Sequence, residues 1–91
     1  MIIDCHTHLN NYHDESVASL GEDVRKLQAM MRRHRIDMAL VLTSYKVVPG
    51  RPSARAVVEA TRHLPNIRVV AGISWTAFGP DDVVELRSLL E

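Results

Sequence analysis

Two histidines stand two residues apart near the start of the chain, in Asp4-Cys5-His6-Thr7-His8. Side chains alternate along a strand, so His6 and His8 share a face, and Asp4 shares it with them. Two imidazoles at that spacing can converge on one metal ion, at the usual Zn–N distance of about 2.0–2.1 Å. A metal-bound imidazole also needs a carboxylate or carbonyl on its other ring nitrogen. Asp4 is near enough in sequence to help shape such a site. The tripeptide alone is a common pattern. Its setting strengthens it, because the pair ends an apolar strand where two polar rings without partners would be costly.

The elements that must position this pair follow from the apolar spacing. Ile2-Ile3 leads into the histidines, and Met38-Ala39-Leu40-Val41-Leu42 is a nearly unbroken apolar run. Ile67-Arg68-Val69-Val70-Ala71-Gly72-Ile73 is another. Short runs rich in Val and Ile suit strands buried on both faces. Between them, Leu20, Val24, Leu27 and Met31 recur at helical spacing, and Glu22 precedes Lys26 by four residues. A second helix starts near Ser53, an N-cap after Pro52, and buries Val57, Val58 and Leu64. A third starts near Gly79-Pro80, with Asp81 and Asp82 in its first turn and Val83, Leu86 and Leu90 as its apolar face.

The order is β-α-β-α-β-α, which implies right-handed crossovers and a parallel sheet: an α/β fold of three βα units. Ligands of parallel α/β folds gather at the carboxyl ends of the strands. That edge carries the segments from His8 to His13, from Thr43 to Lys46 and from Ser74 to Thr76. His34 and His63 end helices and belong at the opposite edge, a strand length of about 17–20 Å away. The candidates for substrate contact are His13, Tyr45 and Trp75. His13 is open to two further readings, as a third ligand or as an exposed loop histidine. Tyr45 fits a solvated loop position somewhat better, and Trp75 could equally plug the mouth of a closed sheet or cover an exposed side. Cys5 reads as a buried core thiol facing away from the histidines. Met30, Met31 and Met38 read as gap-filling core. The run Arg32 to Arg35 reads as cations at a helix C-terminus.

Ile2-Ile3-Asp4-Cys5-His6-Thr7-His8-Leu9 resembles the opening strand of the amidohydrolase superfamily, in its amidohydrolase-related branch. That branch includes metal-dependent hydrolases and nonoxidative decarboxylases. The resemblance implies a TIM (β/α)8 barrel in which His6 and His8 bind a catalytic divalent metal, commonly zinc. The family's remaining site residues lie on later strands and have no counterpart in this sequence. The resemblance implies hydrolysis of an amide, ester or lactone carbonyl in a small-molecule substrate. Phosphoesterase relatives with the same barrel also begin with a His-x-His strand.

Composition sets the outer bounds. The 91 residues carry a formal net charge of +0, which gives no electrostatic footprint for nucleic acid or an anionic membrane. A single cysteine excludes an internal disulfide framework and points to a reducing, cytoplasmic compartment. No apolar run approaches the ~20 residues of a membrane span. A complete barrel takes about 250 residues. Residues 1–91 are therefore expected to form a single partial domain, the N-terminal segment of a metal-dependent hydrolase barrel, inactive alone. The alternative is a non-catalytic α/β module that forms homo-oligomers by pairing its open sheet edges.

Overall fold

The computed structural model describes residues 1–9, 20–43, 51–73 and 79–91. In chain order the elements are β1 (Ile3–Thr7), α1 (Leu20–His34), β2 (Met38–Leu42), α2 (Ala54–Thr61), β3 (Ile67–Val70) and α3 (Pro80–Leu90). The strands form one parallel sheet in the order β1-β2-β3, as the alternating pattern requires. Among the described residues, no helix is long and apolar enough to cross a membrane.

The sheet buries one face. Ala39 and Val41 of β2 and Ile67 of β3 pack with Val24 and Met31 of α1 and Val57 of α2. Leu20 and Leu27 of α1 are half-buried against the same core, completing the apolar stripe that the spacing predicts. The expectation that the strands are buried on both faces does not hold. Burial along β2 alternates, and Ile3 and Val70 are each 49% exposed. The reason is that the three described helices lie on one side. Leu86 and Leu89 of α3 line the same cavity as Val58 of α2 and Val69 of β3. Arg55 of α2 also grips Glu85 of α3 through two parallel contacts, at 2.7 and 2.8 Å. This ion pair holds the Arg55 guanidinium above its ordinary range and the Glu85 carboxyl below its own.

The helix ends are built by specific hydrogen bonds. Glu22 and Asp23 in the first turn of α1 and Arg32, Arg33 and His34 in its last turn complement the dipole. Past His34 the chain reverses through Arg35, at φ 54°. Ile36 N–H donates to Met31 C=O (2.9 Å) and Arg35 N–H to Arg32 C=O (3.4 Å), which is a Schellman closure. That left-handed position favours glycine, and a side chain there costs about 1–2 kcal/mol. Arg35→Gly is expected to stabilise the protein by roughly 0.5–1 kcal/mol, after the greater freedom of glycine in the unfolded chain is counted. A thermal melt would show this as a midpoint several degrees higher.

At α2 the predicted cap forms, with Ser53 Oγ accepting from Ala56 N–H at 3.2 Å. Ser53→Ala is expected to cost about 1 kcal/mol, read as a lower urea midpoint at unchanged slope. Val57 is buried as expected, while Val58 and Leu64 are only half-buried. Thr61 is buried in their place, its hydroxyl donating to Val57 C=O at 2.7 Å. At α3, Pro80 takes the first turn and Asp82 accepts from Gly79 N–H at 2.7 Å. The predicted apolar face of α3 is corrected. Val83 is half exposed and Leu90 is 90% exposed, while Leu86 and Leu89 carry the packing. Leu86 and Leu89 line a cavity with Val58 of α2 and Val69 of β3.

Candidate metal centre

The pairing of β1 with β2 is irregular where the chemistry lies. Asp4 pairs with Ala39 and Thr7 with Val41, so β1 advances three residues while β2 advances two. This is a β-bulge, rare between parallel strands and common beside functional sites, where it re-aims a side chain. The β2–β3 ladder shows no such step, running from Ala39↔Ile67 to Leu42↔Val70 without a break.

Asp4 spans the bulge. One carboxylate oxygen accepts from His6 N–H at 3.0 Å, and the other accepts from the Thr7 hydroxyl at 2.6 Å. The Thr7 hydroxyl first, and then the His6 amide, hold the Asp4 carboxyl below its ordinary value. Asp4 and Thr7 are half-buried, while Cys5 and His6 between them are exposed. Two sequence expectations are thereby corrected. Asp4 lines the groove under α1 together with Thr7, and Cys5 is an exposed thiol rather than a core residue. In both cases strict alternation fails because the extra residue resets it.

The bulge leaves His6 and His8 together. Their Nε2 atoms are 3.2 Å apart, with the rings edge to face at a centroid distance of 5.1 Å. His8 Nδ1 lies 2.8 Å from Leu42 C=O, at the carboxyl end of β2. A carbonyl can only accept, so this contact puts the proton on Nδ1. In the neutral ring, His8 Nε2 is then the lone-pair side, and it faces His6 Nε2.

The donor set fits a divalent metal. Tetrahedral arms of 2.0–2.1 Å place neighbouring ligand atoms about 3.3–3.4 Å apart, close to the observed separation. A carbonyl on the far nitrogen is the usual support of a metal-binding imidazole. Among the described residues, no group of three or more His, Cys, Asp or Glu could hold a metal ion, and His6 and His8 form a pair.

Sequence reasoning placed the remaining candidates unevenly. His13, Tyr45 and Trp75 lie outside the described residues. His34 closes α1 and His63 follows α2, both exposed, as expected of helix-end histidines. His34 lines the groove between α1 and β1, which runs from His8 and Leu9 to His34 and Ile36. Thr43 fastens β2 to β3, its N–H donating to Val70 C=O at 3.0 Å and its hydroxyl accepting from Gly72 N–H at 2.7 Å. Leu42 is the contributor that sequence reasoning missed. It acts through its main chain, which carries no residue-type signal. No family model matches this chain, and neither does any curated protein or solved structure.

Proposed function

We propose that the chain supplies the first three βα units of an amidohydrolase-like (β/α)8 barrel, and that His6 and His8 are the first ligands of its catalytic divalent metal, zinc. The observation that carries this reading is the paired geometry: Nε2 atoms 3.2 Å apart, with His8 Nδ1 on the Leu42 carbonyl. Its position agrees, because His8 stands just past the carboxyl end of β1 and the Leu42 carbonyl at that of β2. The winding supports the barrel. The strands lie in sequential order and α3 shares the face of α1 and α2, whereas a doubly wound sheet places helices on both faces.

In this reading the protein is a metal-dependent hydrolase of a small-molecule amide, ester or lactone. A bound zinc would lower the pKa of its water toward ~7 and polarise the scissile carbonyl. His8 would be held in its ligating tautomer by Leu42, and His6 would turn its Nε2 to the same point. His13, Tyr45 and Trp75, on the segments that leave the three strands, are proposed as substrate contacts. The lone Cys5 accords with a cytoplasmic location. Nonoxidative decarboxylation and phosphoester cleavage use the same opening strand and remain alternatives for the reaction.

Zinc titration tests this directly. Four-ligand zinc sites are worth about 10–16 kcal/mol, so two imidazoles supply about half of that, a Kd between about 1 and 200 μM. One zinc per chain in that range is the expected result. No saturable binding at millimolar zinc would overturn the ligand assignment.

A second reading has its own observation. Ile3 and Val70 are half exposed on the sheet face that none of the described helices covers, which suits a non-catalytic module pairing its sheets or edges with further copies. It predicts a concentration-dependent dimer or larger species in sedimentation, indifferent to zinc.

A further inference from the structure

We propose that Asp4 is a positioning residue whose carboxylate, bonded to His6 N–H and to the Thr7 hydroxyl, locks the β1 bulge and so seats the His8 imidazole on the Leu42 carbonyl beside His6. The proposal rests on the metal reading above for its purpose, but its geometry stands independently.

From the pair Asp4↔Ala39, a regular parallel ladder would set His6 opposite Val41 and His8 opposite Thr43. The extra residue instead sets Thr7 opposite Val41, which draws His8 back to the level of Leu42. The difference is one strand residue, about 3.3 Å. A hydrogen bond of 2.8 Å between His8 Nδ1 and Leu42 C=O does not survive a displacement of that size. Asp4 holds the step from both ends. Its bond to His6 N–H ties down the main chain inside the bulge, and its bond to Thr7 Oγ1 ties down the residue that closes it. Local side-chain bonds of this Asx type compete with regular ladder pairing, which is how one carboxylate can stabilise an irregular step. Both Asp4 oxygens are directed to these two donors, so Asp4 acts through the histidines.

Three variants test the clamp. Asp4→Ala removes both bonds, Thr7→Val removes one without touching Asp4, and Asp4→Asn keeps an amide oxygen for His6 N–H. Zinc affinity is expected to fall about 10- to 100-fold in Asp4→Ala, the usual loss for an outer support of a metal ligand. A smaller loss is expected in Thr7→Val, and near recovery in Asp4→Asn. The second readout is metal-free. Long-range proton–nitrogen spectra of the imidazoles should show His8 fixed as the Nδ1–H tautomer in the native chain. In Asp4→Ala, and partly in Thr7→Val, that signature should collapse to the tautomer average of an exposed ring. Native zinc affinity and unchanged imidazole spectra in Thr7→Val and in folded Asp4→Ala would overturn the proposal. If the native chain binds no zinc, the metal reading fails, and the metal-free spectra still decide on the clamp.

Discussion

Alanine at His8 is expected to lower zinc affinity by roughly 100- to 1,000-fold, to a Kd of about 1–15 mM. The magnitude follows from sharing a four-ligand site energy of about 10–16 kcal/mol among its ligands, about 2.5–4 kcal/mol each. Alanine at His6 should do the same, because both Nε2 atoms would be direct ligands. The two single variants and the double variant should then be nearly indistinguishable at micromolar zinc, since one imidazole on an exposed strand end holds the ion only at millimolar concentration. In competition with a chromophoric chelator of micromolar affinity, the native chain should withdraw zinc and all three variants should not. A His8→Ala chain that still binds zinc at native affinity would show that the ion sits elsewhere. His34 and His63, exposed at helix ends, provide the controls, and their alanine variants should bind as the native chain does.

The second large effect concerns the core. Met31→Ala is expected to destabilise the fold by about 2–5 kcal/mol. Met31 is 2% exposed and packs with Val24, Ala39, Val41, Val57 and Ile67, so it joins α1 to the sheet. A domain of this size has a total stability of only about 5–14 kcal/mol. The loss therefore takes a large share, and the urea midpoint should fall sharply at unchanged slope. The neighbouring Met30, expected in the core from the sequence, is instead half exposed at 51%, and Met30→Ala should stay within about 0.5 kcal/mol. Equal effects at the two positions would mean that α1 is rotated about its axis relative to the packing described.

The contrast between Met30 and Met31 also shows what the sequence could and could not reveal. Spacing at i, i+4, i+7 and i+11 singled out Met31 for the core stripe with Leu20, Val24 and Leu27, and all four face the core. It also gave Met38–Leu42 as a strand and Ser53 as a cap, because these depend on local rules of burial and hydrogen bonding. At β1 the same rules went astray. Alternation put Asp4 on one face with both histidines and Cys5 in the core, whereas the bulge sets Asp4 beside Thr7 in the groove under α1, which His8 also lines, and leaves Cys5 exposed. A bulge depends on what the partner strand does, and no local pattern of residue types announces it. The His6–His8 pair was legible because their i, i+2 spacing survives the bulge. The Leu42 carbonyl, 34 residues away from His8, was not. The face of α3 was missed for a related reason. Helical spacing offered Val83, Leu86 and Leu90; of these Leu86 packs toward Val58 of α2 and Val69 of β3, joined by Leu89, while Val83 and Leu90 are exposed.

The uneven step in β1 has a consequence for how this strand tolerates changes in length. In a regular strand, removing one residue inverts every side chain beyond the cut, and a core face becomes a solvent face. Between Asp4 and Thr7 the strand carries one residue more than its partner requires. Excision of Cys5 would leave Asp4-His6-Thr7 opposite Ala39-Leu40-Val41, an even match. Asp4 and Thr7 would keep their side of the sheet, and only the local geometry around His6 would change. The same excision in β2, at Leu40 for example, would turn Val41 out of the core. Length variation in this sheet is therefore cheap at one place, immediately beside the paired imidazoles, and ruinous in its central strand.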